Sequence, residues 1–212
     1  MNATIHSEIS VKRHGGKISD FYYLHDFMDC SKEVEATNKH RMLTHTMFFV
    51  KEAMIPIFGN TIILENRPKV NMKDMLEQDH ILADYANKFI PTLTDFTDEI
   101  EDHSDDEQLI KDFQSDNKAF FNEYSDIHRT MMAPLYLTCK IKSLFATHNS
   151  WFIGIILPRI YPDVKMEIKN YNINCASFFN RMNYRKWMQN GRDVPPSFKK
   201  MDDNKKVRII KL

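Results

Sequence analysis

Glycine occurs only five times in 212 residues, at positions 15, 16, 59, 154 and 191. That is about 2.4%, where an average chain carries roughly 7%. Neither G-x-G-x-x-G nor G-x-x-x-x-G-K can be written anywhere in the chain. Nucleotide sites that cradle phosphate on glycine-rich backbone are therefore excluded in their usual form. Strand-rich sandwiches and barrels, which depend on many glycine turns, are disfavoured. Helices suit the composition best, because glycine weakens their interiors.

The length suits one large domain or two small ones. Hydrophobic residues at 42% and charged residues at 27% are globular values, so a core is expected. Lys plus Arg equals Asp plus Glu at 29 each, which argues against a surface built throughout for nucleic acid or anionic membrane. The balance hides two blocks. Residues 74–126 hold 16 acids against 3 lysines, and 181–212 hold 10 bases against 3 acids. Such blocks can pair within the molecule or meet a protein partner. The basic C-terminal block, where Arg181, Tyr184, Arg185, Lys186 and Trp187 alternate charge and ring, leaves nucleic acid open as a minor partner. Cys30, Cys139 and Cys175 are far apart and form no C-x-x-C, so a reducing cytoplasm is expected. The N-terminus lacks a signal-peptide apolar stretch. The run Trp151–Leu157 is too short to span a bilayer, so no membrane partner is expected.

Apolar spacing predicts a first helix over about 20–34, a second starting at Thr37 or Asn38 and bent or ended by Pro56, and a third capped by Asn71. Thr61–Leu64 and Lys69–Asn71, around Glu65-Asn66-Arg67-Pro68, predict a small β-hairpin near 61–71. Gly59 falls where a left-handed helix end is wanted. Thr92 or Thr94 starts a short helix, and 101–107 is a solvated linker. The spacing predicts a long helix over 109–135 bent near Pro134, a buried helix over 151–160, and a last helix over 178–188. The fold class is mainly α, a helical bundle with one small hairpin.

Histidines and acids concentrate before residue 85. His25 and Asp29 stand four apart on the first helix, with Lys32 one turn on. Arg41, His45 and Glu52 are separated by four and seven on the second. Glu77, His80 and Asp84 are spaced three and four on the third. Facing helices that project carboxylates and imidazoles inward build metal sites in bundles, and such an N/O set suits zinc, manganese or iron. His25, Asp29, His45, Glu52, Glu77, His80 and Asp84 are the candidate divalent-metal ligands. Lys32, Arg41 and Gln78 are the candidate contacts for a polar ligand. Solvated helix pairs, or buried networks that hold helices together, explain the same spacings. No pattern singles out a catalytic nucleophile.

Five blocks, in order, carry a resemblance: Leu24-His25-Asp26-Phe27-Met28-Asp29-x-Ser31-Lys32, His40-Arg41-x-x-x-His45, Phe58-Gly59-x-Thr61-Ile62, Glu77-Gln78-x-His80-x-x-x-Asp84 and Ile90-Pro91-Thr92-x-x-Asp95-Phe96. They are similar to a domain-of-unknown-function family of short bacterial and phage proteins, over about residues 18–100. Phe27 and Phe96 replace its tryptophans, Thr46 its second histidine and Ala83 its glutamate. The resemblance implies a core at 18–100, a helical extension or insertion at 101–180 and a basic segment at 181–212. It implies no activity. Two functions stay open: a His/acid cluster that binds a divalent metal or polar ligand, as in a hydrolase, and a non-enzymatic protein acting on a host macromolecule through an acidic or basic surface.

Overall fold

A computed structural model describes residues 1–103, 105–169, 174–189, 191 and 193–199. The end of the basic C-terminal block, from Lys200 onward, lies outside the described residues, as do Asn190, Arg192 and, in the acidic linker, Ser104. The chain forms two compact units: residues 1–95 with 184–212, and residues 96–183. The fold is mainly α with one two-stranded antiparallel sheet.

The first unit begins with a helix that the spacing analysis did not anticipate, α1 (Ala3–His14). Asn2 caps it by accepting a hydrogen bond from Ile5 N–H, and Lys12, Arg13 and His14 oppose the dipole at its C-terminal end. Gly15, at φ 79°, ends it. Ala3, His6, Ser7 and Ser10 form its buried face, small enough for α1 to lie close on α2 (Tyr22–Met28). The helix expected over 20–34 thus stops at Met28 and continues as a 3₁₀ turn, Cys30–Glu33.

The expected second helix is interrupted. After α3 (Arg41–Thr44), His45 leaves helical geometry at ψ 44°, and extended Thr46 caps a new start at Met47. The helical run 47–58, α4, has a π-helical middle at Val50–Met54. Pro56 comes just after the π-wound stretch, and the run continues past it to Phe58. Gly59 adopts φ 89° and leads into β1 (Thr61–Ile62). This strand pairs with β2 (Val70–Asn71) in the register Thr61 to Asn71 and Ile62 to Val70, so the hairpin forms where the sequence placed it. Asn71 then caps α5, the run 72–84, through Asp74 N–H.

Residues Leu76–Leu82 of α5 are π-helical. Bonds of the i→i+5 type wind about 4.4 residues per turn, which sets Glu77 roughly 115° away from His80 but keeps Asp84 within about 35° of it. The single face expected for Glu77, His80 and Asp84 is accordingly split. A short helix, Leu93–Thr97, follows a reciprocal pair of bonds between Thr92 and Asp95.

The second unit contains the helices Asp106–Asp116, Lys118–Glu123 and Ser125–Thr138, where one long helix was expected. Cys139, at φ 56°, ends the last of these. The helical run 150–160 is π-wound at Phe152–Ile156, and Cys175–Asn180 is shorter than the expected last helix. Within this unit Arg181 pairs with Asp106 at 2.9 Å. Among the described residues, no helix is long and apolar enough to cross a membrane.

A buried histidine and carboxylate cluster

Each of α1, α2 and α5 brings one buried histidine to a common cluster, and the α3–α4 junction supplies the fourth. His6, His25, His45 and His80 are each fully buried. Burying this much polar surface is tolerable only if it is bonded, and most of it is, although His6 Nε2, Asp29 Oδ1, Arg41 Nε and Asp79 Oδ1 make no hydrogen bond of good geometry. Ser10 donates to Asp79 Oδ2 at 2.9 Å and meets His25 Nε2 at 2.9 Å. His25 Nδ1 faces His80 Nδ1 at 3.0 Å, and His80 Nε2 faces His45 Nε2 at 3.0 Å. On the far side His45 Nδ1 meets Thr44 Oγ1 at 2.9 Å, Thr44 meets Ser31 at 2.9 Å, and Ser31 donates to the His40 carbonyl at 3.2 Å.

The carboxylates bracket this row. Asp84 receives Arg41 Nη2 at 2.9 Å on Oδ2, with His45 Nε2 at 3.2 Å, while His6 Nε2 lies 3.3 Å from Oδ1. Burial pushes the Asp84 carboxyl up, but His45, His6 and Arg41 outweigh it and hold it well below the carboxylate range. Asp29 likewise is raised by burial and lowered further by His45 and Lys32, to about 2. Its Oδ1 lies 3.5 Å from His45 Nε2 and 3.9 Å from His80 Nε2. Burial, followed by the neighbouring His6, lowers His25 to about 3. Burial lowers His80 well below its usual value, with His6, His45 and His25 adding to the effect. Neutral imidazoles with free lone pairs are what a metal ion takes.

Among the described residues, two sets of three ligand atoms fall within 4.8 Å of one another: His6, His25 and His80, and Asp29, His45 and His80. Ring orientation separates them. His6 stacks on His80 at 4.0 Å and 20°, and His25 is only 13° from the plane of His80. Lone pairs lie in ring planes, so near-parallel rings cannot aim three of them at one point. His45 and His80 are inclined at 59° and can converge. The sides of the second triangle are 3.0, 3.5 and 3.9 Å. A point equidistant from its corners lies about 2.0 Å from each, a Zn–N or Zn–O bond length.

Of the residues singled out from sequence, His25, Asp29, His45, His80 and Asp84 meet in this cluster. Glu52 and Glu77 join neither set of ligand atoms among the described residues. Glu77 pairs with Lys73 at 3.3 Å, the outward direction that π winding gives it. The break at His45 and Thr46 separates Glu52 from Arg41 and His45. Lys32 pairs with Asp29 at 2.7 Å. Arg41 is buried, bonded to Asp84 and to the Met188 carbonyl at 2.9 Å, with its guanidinium over the Tyr85 ring. Gln78 lines a cleft of about 630 Å³ with Lys12, Arg13 and Asn87. Asp29, Lys32 and Cys30 line a second cavity of about 360 Å³ beside the N-terminal turn of α1.

Sequence reasoning missed His6, Ser10, His14 and Asp79. The first three stand four residues apart behind the capping residue Asn2, which is a helix-face signal. Asp79 was obscured because a 3.6-residue period turns it away from His80.

Residues 1–105 match the family model of a domain of unknown function (DUF6915). The match spans just under half of the chain and includes α1 and every side chain of the cluster, while the Met188 carbonyl lies outside it. No curated protein and no solved structure matches the chain.

Proposed function

We propose that the first unit binds one divalent metal ion on Asp29 Oδ1, His45 Nε2 and His80 Nε2, and uses it for hydrolytic chemistry. The observation that carries this reading is the triangle of buried donor atoms whose common centre lies at metal-bond distance. Two imidazoles and one carboxylate leave coordination positions open, as catalytic sites do. An ion held there lowers the pKa of bound water and polarises an oxygen of the substrate. Asp84, 3.2 Å from His45 Nε2, adjoins the site as a fixed anion rather than as a base, because His45, His6 and Arg41 hold it well below the carboxylate range. Arg41 holds Asp84 in place. The cavity that includes Asp29 and Lys32 supplies the approach for a polar substrate.

Elemental analysis of the purified chain tests the reading. About one equivalent of zinc, manganese or iron, lost together with several degrees of melting temperature on chelation, is expected. A protein that carries no metal, takes none up from solution and melts identically with and without chelator would refute it.

A further inference from the structure

Ser10 and Asp79 lie outside the three proposed ligands, yet their hydrogen bonds decide where the protons of those ligands reside. The Ser10 hydroxyl donates to Asp79 Oδ2 at 2.9 Å. Arg13 at 2.6 Å and His14 at 3.0 Å also reach this carboxylate, which can only accept from a hydroxyl. Having given its one proton away, Ser10 must accept from its other neighbour, so His25 Nε2 carries hydrogen. A neutral imidazole has one N–H, and His25 is neutral because it is fully buried with its two ring nitrogens on the Ser10 hydroxyl and His80, where a charge would go uncompensated. His25 Nδ1 is therefore an acceptor, and the 3.0 Å contact requires His80 Nδ1 to donate. The lone pair of His80 then sits on Nε2, facing His45 Nε2 and Asp29 Oδ1.

We infer that the chain Asp79–Ser10–His25 is a tautomer lock that presents His80 Nε2 as a permanent metal ligand, with Ser10 and Asp79 as positioning residues. The inference rests on the metal reading above. The opposite arm is permissive by comparison. When His45 Nδ1 donates to Thr44, Thr44 donates to Ser31 and Ser31 to the His40 carbonyl, which frees His45 Nε2 for the metal. Reversing that arm leaves only a carbonyl contact of 3.2 Å unmade. Reversing the Ser10 arm instead turns two oxygen lone pairs against each other across 2.9 Å. One ligand is preset, and the other can switch as the ion arrives. Outer partners of this kind typically set metal affinity by 10- to 100-fold.

The test uses Zn²⁺ alone on the full chain. Long-range ¹H–¹⁵N spectra of histidine-labelled, zinc-free wild type are expected to show His25 as the Nε2–H tautomer and His80 as Nδ1–H. Competition with a chelator is expected to give Ser10→Ala and Asp79→Asn about 10- to 100-fold weaker zinc binding than wild type. Ser10→Thr, which keeps the hydroxyl, should restore most of the affinity. Wild-type His25 protonated on Nδ1 overturns the lock, and so does zinc binding by Ser10→Ala within twofold of wild type. The spectra need no variant, so a misfolded mutant leaves the test intact. Failure of wild type to bind zinc refutes the metal reading, whereas the tautomer spectrum of that same sample decides the lock separately.

Discussion

Arg41 Nη2 and Asp84 Oδ2 lie 2.9 Å apart, two buried charges brought together from 43 residues away in sequence. Desolvating both is costly, and the pair is sustained by further bonds: Arg41 to the Met188 carbonyl, and Asp84 to His45 and His6. Removing Asp84 leaves Arg41 uncompensated, whereas removing Arg41 leaves Asp84 with the Met1 ammonium at 2.7 Å and two imidazoles. Arg41→Met is expected to destabilise the first unit by about 2–3 kcal/mol, measured by urea unfolding. The double variant Arg41→Met, Asp84→Leu is expected to recover part of that loss. A single substitution costing under about 1 kcal/mol would show that water or a rearranged side chain solvates the abandoned carboxylate.

Metal loading should discriminate among the histidines. His45→Ala and His80→Ala are expected to abolish stoichiometric zinc uptake, with no increase in melting temperature on adding Zn²⁺. His6→Ala should retain uptake, because its ring is stacked on His80 rather than aimed at the common point. Loss in His6→Ala and His80→Ala with uptake retained by His45→Ala would relocate the centre to the set of near-parallel rings.

Glycine substitutions should differ sharply by position. A Cβ at Gly191, where φ is +62°, would meet the Tyr85 carbonyl oxygen at 2.4 Å. At Gly59, where φ is +89°, it would meet nothing within 4 Å. Gly59→Ala therefore carries only the cost of a glycine-favouring backbone at φ 89° and ψ 173°, about 1–3 kcal/mol. Gly191→Ala adds a backbone clash and is expected to cost roughly 2–4 kcal/mol. Similar losses at both positions, measured by thermal melting and denaturant titration, would contradict the close approach at Tyr85.

Acid should weaken the second unit through His148. Burial lowers this group from its ordinary 6.5 to about 3, with the Leu144 backbone opposing and His128 assisting the shift. The unfolded chain takes up a proton below about 6.5 while the folded one does not, so stability is whole above that value and falls as pH drops towards 3. The slope for one such group reaches about 1.4 kcal/mol per pH unit. Denaturant titrations at pH 7, 6 and 5 should show wild type losing stability faster than His148→Gln by that margin. Parallel curves would mean that His148 protonates without unfolding.

Much of this arrangement was legible before any coordinates. Period-3.6 spacing found α2 and the start of α5, and turn residues found the hairpin, because each depends on neighbours within a few positions. Five of the seven candidate metal ligands converge in space. Glu52 and Glu77 do not, and for one reason: both were assigned to faces by assuming uninterrupted α winding. Thr46 restarts one helix, and Leu76–Leu82 rewinds the other. α1 escaped notice because its buried face is His and Ser rather than Leu and Phe, so its inward side resembles an ordinary solvated one. Its value is visible only once Asp79 and His25 stand opposite.

The π-wound stretch of α5 has a consequence of its own. It acts as a phase shift between the two ends of one rod. Upstream of it, Met72 and Met75 stay in step with the apolar core; downstream, Asp84 and Tyr85 keep a different beat and reach Arg41. Rewinding residues 76–82 with ordinary α geometry would restore one continuous rhythm and turn the whole downstream end by roughly 120°. A helix that keeps the slip can serve two neighbourhoods at once, whereas a regular one must choose between them.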